Sequence, residues 1–258
     1  MKRISRIAGT SRPVLLGAAM VLLAATSASV AAADDGRGPL GVTAVAAATR
    51  HNVRVGALFS ADRADDLTGN HFCTASVVHS ARENLIVTAA HCVDADDASD
   101  LVFVPGYRAG RAPYGVWKVG RRFLPDGWSK GQHEDSDLAF AYVDERKGKR
   151  VEDVVGANRF APGTETGATA VTVTGYPDAR DTPISCTNKP SAHSSTQQRI
   201  DCPGFSGGTS GSPWVNGDHE VVGVLGGHEQ GGDTDDTSYS VVLGREAAAL
   251  YRDAVTVP

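Results

Sequence analysis

Three residues of this 258-residue sequence have the types and settings that nucleophilic acyl transfer requires. His91 lies in the run Thr-Ala-Ala-His-Cys, Asp137 precedes an apolar run, and Ser210 lies in the run Gly-Thr-Ser-Gly-Ser-Pro. A serine hydroxyl becomes a strong nucleophile when a histidine removes its proton and a carboxylate orients that histidine. The sequence therefore predicts His91, Asp137 and Ser210 as catalytic residues.

Glycines surround the predicted nucleophile, at Gly207, Gly208 and Gly211. They allow the backbone to turn sharply and to direct N–H groups at one point, where they would stabilise a developing oxyanion. Loss of one such donor typically costs about 3–4 kcal/mol of barrier. We expect the backbone N–H groups of Gly208 and Ser210 to form this oxyanion hole.

Asp135, two residues before Asp137, is an alternative candidate for the carboxylate that orients His91. In an extended chain both side chains would point to the same side. Asp137 directly adjoins the apolar run at residues 138–141, where a carboxylate can be partly buried beside the imidazole, and it is the preferred candidate.

The elements that must position these residues are short β-strands separated by Gly, Pro, Asn and Asp. Valine, threonine and aromatic residues dominate the strands, which predicts an all-β barrel or sandwich. The predicted strands cover residues 53–59, 72–78, 85–87, 101–104, 115–123, 138–143, 170–174, 198–201, 213–215, 220–225 and 239–243. Helix formers at residues 245–252 predict one C-terminal helix.

The N-terminus has the features of a secretory signal peptide over residues 1–33. Four basic residues precede an apolar run at 14–30, and three alanines at 31–33 form a small-residue cleavage site. A membrane anchor is disfavoured because the apolar run is short and contains Thr26 and Ser27. We expect a secreted, extracellular protein with no membrane association after cleavage. Residues 34–50 are predicted to be a pro-segment or a flexible arm.

Charge argues against nucleic acid as a partner. Residues 1–33 contain four positive charges and no negative ones, so their removal changes the formal net charge from −5 to −9. An acidic surface repels phosphate backbones.

The four cysteines predict two disulfides in an exported protein, and sequence alone allows three pairings. Cys73–Cys92 and Cys186–Cys202 are favoured because each closes a short loop. On the chain-entropy account each contributes about 3 kcal/mol. A zinc site is disfavoured because no Cys-x-x-Cys spacing occurs.

The motifs together resemble the chymotrypsin-like (trypsin-like) serine peptidases. Residues 88–92 match that family's histidine motif, 137–139 its aspartate motif, and 208–213 its serine motif with two changes, while residues 72–78 resemble its preceding cysteine strand. The resemblance covers about residues 53–253. It implies two antiparallel six-stranded β-barrels, at residues 51–150 with His91 and Asp137, and at residues 151–258 with Ser210 and the terminal helix, and an active site in the cleft between them.

Departures from the family motif concern activation and specificity. Thr209 stands where trypsin-type enzymes have an aspartate, so their zymogen switch is not expected in that form. The Ser-Gly-Ser-Pro run and Gly-Tyr-Pro at residues 175–177 resemble the bacterial glutamyl-endopeptidase-type branch. Leu225 stands where that branch has a pocket histidine, and Gly204 where trypsin-like members have an aspartate. We therefore expect an uncharged substrate pocket formed by Gly204, Leu225, Gly226 and Gly227. The alternative is a pocket that Asp235 or Asp236 reaches from another loop.

The sequence thus predicts a monomeric serine endopeptidase that cleaves a protein or peptide substrate through an acyl-enzyme, with no cofactor and no metal. The alternative is a catalytically silent, peptidase-like module that binds a protein without cleaving it. An α/β-hydrolase esterase is disfavoured because that fold orders its triad serine, acid, histidine. The acidic residues Asp94, Asp96, Asp97 and Asp100 could bind calcium, although a solvated loop is the simpler interpretation.

Overall fold

A computed structural model of the chain describes residues 39–94 and 100–256. The predicted signal peptide at 1–33 lies outside these residues, as do Asp96 and Asp97 of the acidic loop. No helix in the described ranges is long and apolar enough to cross a membrane.

Strands dominate the described residues, in keeping with the Val-, Thr- and aromatic-rich runs of the sequence. The first seven are β1 (Thr43–Val45), β2 (Val55–Ser60), β3 (His71–Val78), β4 (Leu85–Thr88), β5 (Leu101–Pro105), β6 (Trp117–Phe123) and β7 (Ala139–Val143). The other eight are β8 (Arg159–Phe160), β9 (Val171–Gly175), β10 (Ile184–Asn188), β11 (Ser191–Ala192), β12 (Gln197–Asp201), β13 (Pro213–Val215), β14 (Glu220–Val224) and β15 (Thr237–Val241). The α-helices are α1 (Asp126–Gly131), α2 (Val151–Val155) and α3 (Arg245–Thr256).

The first half of the chain closes into a six-stranded antiparallel barrel with the order β2-β3-β4-β7-β6-β5. Its interior is filled by buried side chains that include Leu58, Val77, Ile86, Phe103 and Trp117. Nearly every residue of β2, β4 and β7 is buried, which explains why these strands are largely apolar rather than strictly alternating.

Among the described residues of the second half, the strand pairing does not close into the predicted second barrel. The paired strands form a six-stranded sheet, β1-β10-β9-β13-β14-β8, and a separate three-stranded sheet, β11-β12-β15. Strand β14 pairs with β8, in a parallel arrangement, instead of forming a ladder with β15. The contact with β15 includes two hydrogen bonds, from Val224 N–H to Ser240 Oγ and from Gly226 N–H to the Tyr239 carbonyl, and these do not make a continuous ladder.

Strand β1 comes from the N-terminal region that the sequence predicts to be a pro-segment or an arm. It pairs with β10 at the edge of the six-stranded sheet, with Thr43 opposite Cys186. The nearby Leu40 and Val45 remain largely exposed.

The predicted C-terminal helix is present as α3 and packs against strands of both halves. Ala247, Leu250 and Ala254 lie in one buried cluster with Phe140 of the barrel and Phe160 of β8. These three buried residues of α3 are spaced three and four positions apart, so they lie on one face of the helix, and that face packs against the cluster.

The disulfides join Cys73 to Cys92 and Cys186 to Cys202, which are the predicted pairs. The first connects β3 to the short 3₁₀ turn at Ala90–Cys92, which contains His91. The second connects β10 to the residue that follows β12.

Candidate active site

His91 and Asp137 contact each other directly, although 46 positions separate them in the chain. His91 lies shortly after the end of β4, and Asp137 lies two residues before the start of β7. These two strands are neighbours in the barrel. His91 Nδ1 lies 2.7 Å from Asp137 Oδ2. Because a carboxylate accepts, Nδ1 carries the proton, and Nε2 is left as the atom that can accept a proton from a hydroxyl.

The Asp137 carboxylate is fully buried and accepts three N–H groups. Besides the imidazole, Oδ1 accepts the His91 backbone N–H at 3.0 Å, and Oδ2 accepts the Gly227 N–H at 2.8 Å. A buried charge is stable only when such donors replace water. A Cβ at Gly226 would lie 2.7 Å from Asp137 Oδ2, so the backbone at Gly226 and Gly227 packs directly against this carboxylate.

The alternative carboxylate, Asp135, has a different partner. Its Oδ1 accepts a hydrogen bond of 2.9 Å from Gln197 Nε2. The described contacts therefore connect His91 to Asp137 and not to Asp135.

Ser210 lies in a turn just before β13, and the turn is held by its backbone. The Ser210 carbonyl accepts the Thr74 N–H of β3 at 2.7 Å, and the next N–H, that of Gly211, donates to the Leu225 carbonyl at 2.7 Å. Ser210 itself is partly exposed. In the described part of the chain, no hydrogen bond joins His91 Nε2 to Ser210 Oγ; bonds of this type often tighten only in the complex with substrate.

The backbone N–H groups of this turn differ in their partners. The N–H groups of Thr209, Gly211 and Ser212 donate to carbonyls. The N–H groups of Gly208 and Ser210, the predicted oxyanion donors, donate to no backbone carbonyl among residues 39–94 and 100–256.

Thr74 links these parts and was not identified as functional from the sequence. Its buried hydroxyl donates to the Gly208 carbonyl at 3.0 Å and accepts the Tyr176 N–H at 3.0 Å. Its carbonyl accepts the Thr88 hydroxyl, three residues before His91, at 2.8 Å. Thr74 therefore connects the Ser210 turn to β4, the strand that precedes His91. Only its position next to Cys73 could have suggested this role.

The predicted pocket residues lie in different surroundings. Gly204 is exposed, whereas Leu225 is buried in a cluster with Phe205 and Trp214. Gly226 and Gly227 lie against Asp137, as described above.

A cleft of about 320 Å³ adjoins His91 and was also missed by sequence reasoning. Its lining includes Phe72, Trp128, Gln132 and Gln230. Trp128 of α1 is fixed by its Nε1–H, which donates to Asp94 Oδ2 at 2.7 Å. The sequence did not predict α1, so the approach of its side chains to His91 could not be foreseen.

Cys73, His91 and Cys92 are close enough together to hold a metal ion. However, both sulfur atoms belong to the Cys73–Cys92 disulfide and are not thiolate ligands.

Comparison with known proteins identifies the class to which this fold and site belong. Residues 73–224 match the family model of the trypsin-like peptidase domain. The structure is similar to that of the protease Anisep from Arthrobacter nicotinovorans, with 26% identity and a TM-score of 0.68 over 79% of this chain and 96% of the other. It is also similar to AL20, a thermostable serine protease from an extremophilic microorganism, with 26% identity and a TM-score of 0.70 over 81% and 100% of the two chains.

A more distant similarity concerns the fold alone. A Glu endopeptidase in complex with MPD aligns at 18% identity and a TM-score of 0.67, over 86% of this chain and all of the other. Curated protein sequences yield no significant match.

The architecture and these similarities define a serine-type endopeptidase with a chymotrypsin-like fold. The family model covers more than half of the chain, and the protein belongs to the trypsin-like peptidase family.

Proposed function

We propose that the protein is a secreted endopeptidase that cleaves peptide bonds through a His91–Asp137–Ser210 triad and an acyl-enzyme intermediate. The observation that carries this proposal is the contact of 2.7 Å between His91 Nδ1 and the fully buried Asp137 carboxylate. This contact fixes the tautomer in which Nε2 can accept a proton.

In the proposed mechanism, Ser210 Oγ attacks the scissile carbonyl carbon while His91 Nε2 takes the hydroxyl proton. His91 then gives that proton to the leaving amine as the C–N bond breaks, which leaves an ester on Ser210. Water, deprotonated by His91, hydrolyses this ester and restores the serine hydroxyl. Asp137 stays ionised throughout and stabilises the imidazolium.

The tetrahedral intermediates carry a negative oxygen, for which the N–H groups of Gly208 and Ser210 are the proposed donors. Two observations support them. First, the N–H groups of Thr209 and Gly211 already donate to carbonyls, whereas those of Gly208 and Ser210 donate to no carbonyl in the described residues. Second, Thr74 holds the turn in place. Donors fixed before the reaction need no reorganisation when the charge develops.

Secretion is proposed from residues 1–33 together with the two disulfides, which form in oxidising compartments. An uncharged specificity pocket is proposed from the family resemblance alone, which aligns Gly204 and Leu225 with positions where related enzymes have charged or ionisable residues. The substrate is a protein or peptide.

Replacement of the nucleophile tests this function. We expect Ser210→Ala to reduce the hydrolysis of a peptide library to background, because water alone must then attack the carbonyl. Circular dichroism should show an unchanged fold, since Ser210 is partly exposed and its backbone makes the hydrogen bonds. If the folded variant retained wild-type activity, the assignment of Ser210 would be wrong. If the wild type itself cleaved nothing, the silent binding module would be favoured.

A further inference from the structure

A buried histidine outside the proposed triad lies where the barrel meets the second half of the chain. His71 begins β3, and its side chain has no exposed surface. Its Nε2 lies 2.9 Å from the carbonyl oxygen of Pro177. Because a carbonyl only accepts, Nε2 carries the proton and donates this bond.

Neighbouring rings fix the orientation of the His71 imidazole. The ring centroids of Phe59, Tyr107 and Tyr176 lie 5.9, 5.7 and 6.1 Å from its own. The first two belong to the barrel side and Tyr176 to the second half. The imidazole therefore cannot turn away from Pro177 without disturbing this packing.

Asp181 is the charged group that faces the other side of His71. Its Oδ1 lies 4.0 Å from His71 Nδ1, and it accepts the Tyr107 hydroxyl and the Gly69 N–H. Burial disfavours the carboxylate, but these two hydrogen bonds and His71 outweigh burial, so the pKa of Asp181 lies below its ordinary value. The segment from Tyr176 to Asp181 is thus tied to the barrel at both ends.

This segment in turn supports the Ser210 turn. The Asp178 N–H donates to the Gly207 carbonyl at 2.8 Å. A Cβ at Gly208 would lie 2.6 Å from the Asp178 nitrogen and 2.7 Å from the Tyr176 carbonyl oxygen. The backbone at Gly208 therefore rests directly on the segment, and a shift of one must move the other.

We infer that His71 is a positioning residue for the oxyanion turn, acting through Pro177 and Asp178 on the Gly208 N–H. This inference rests on the proposed function, in which that N–H stabilises the oxyanion. Without the bond to Pro177, the middle of the segment is held only through its ends at Tyr176 and Asp181, and the Gly208 backbone that rests on it can shift. A misplacement of about 1 Å in such a site costs roughly 100-fold in rate.

The test compares two replacements of His71 in the full-length enzyme. His71→Phe fills the ring space but cannot donate to Pro177, whereas His71→Gln can place an amide N–H near the former Nε2. We expect kcat to fall about tenfold or more in H71F with KM nearly unchanged, and to recover most of its value in H71Q. Affinity for a peptide aldehyde, whose adduct carries the same oxyanion, should fall with kcat.

Val104→Ala is the matched control for stability. Val104 lies in the same buried cluster as Phe59 and Tyr107 but is not one of the rings against His71, so this change should lower the melting temperature with little change in kcat. Wild-type kcat in H71F, or an equal loss of kcat in V104A at equal melting temperature, would overturn the inference. If H71F does not fold, His71→Asn replaces it, since its shorter amide falls short of Pro177; equal kcat in H71N and H71Q would then overturn it.

The two proposals fail in different ways. If wild-type enzyme is inactive, or Ser210→Ala is active, the proposed function is wrong whatever the His71 variants do. If wild type is active, Ser210→Ala is inactive and H71F matches wild type, only the role of His71 is wrong.

Discussion

Asp137 shows how much of the proposed chemistry depends on one fully buried carboxylate. It accepts N–H groups from the His91 backbone, the His91 ring and Gly227. An amide at this position would present one oxygen and one NH₂ group, and the NH₂ group would face a donor. The ring would then turn or change tautomer, and Nε2 could no longer accept the serine proton.

We therefore expect Asp137→Asn to lower kcat by roughly 10⁴-fold, the effect of this change in the reference enzyme of the class. Steady-state hydrolysis of a chromogenic peptide at saturating concentration measures it. Asp135→Asn is the control, because Asp135 bonds to Gln197 instead, and it should stay near wild-type activity. If Asp135→Asn lost more activity than Asp137→Asn, Asp135 and not Asp137 would be the carboxylate that orients His91.

At the level of elements, the turn before β13 meets β3 and β4 with no spare space. A Cβ at Gly211 would lie 2.0 Å from the Thr74 carbonyl oxygen and 2.2 Å from Thr88 Oγ1. This contact keeps the Ser210 turn beside the strand that leads to His91. Gly204 has a similar φ, +86° against +84°, but nothing lies within 4 Å of its Cβ position.

Alanine substitutions at Gly204 and Gly211 distinguish the cost of a left-handed backbone from the cost of a steric clash. Gly204→Ala should cost only the left-handed strain of about 1–2 kcal/mol in the free energy of unfolding. Gly211→Ala should cost that strain and about 1–3 kcal/mol more for overpacking, with a loss of kcat. Urea unfolding of both variants measures the difference. Equal losses of stability would mean that the close contact of the turn with Thr74 and Thr88 has no energetic consequence.

Across the whole molecule, the strands with strong local patterns were predictable and their partners were not. Ten of the eleven predicted runs overlap β2–β7, β9 and β12–β14, the remaining run at 239–243 overlaps β15, and the helix at 245–252 lies within α3. The strands β8 and β11 have two residues each, too few for a periodic pattern. The second barrel was expected from the family resemblance, and the pairing of β14 with β8 is a long-range choice that no local pattern encodes.

The same distinction applies to the site. The residues proposed to react lie in recognisable short motifs, so their types and order could be found in the chain. Thr74, His71 and Trp128 have roles that depend on which distant segment lies beside them, and their own neighbours in sequence carry no such signal. The support of the site was therefore missed, while its chemistry was predicted.

The covalent intermediate provides the most direct test of the proposed mechanism. Purified enzyme turning over an activated ester substrate is quenched in acid and digested, and the peptides are analysed by mass spectrometry. The proposed triad predicts an acyl group on the peptide containing Ser210, attached at that residue and absent from Ser210→Ala. An acyl group on another residue, or none during active turnover, would contradict it.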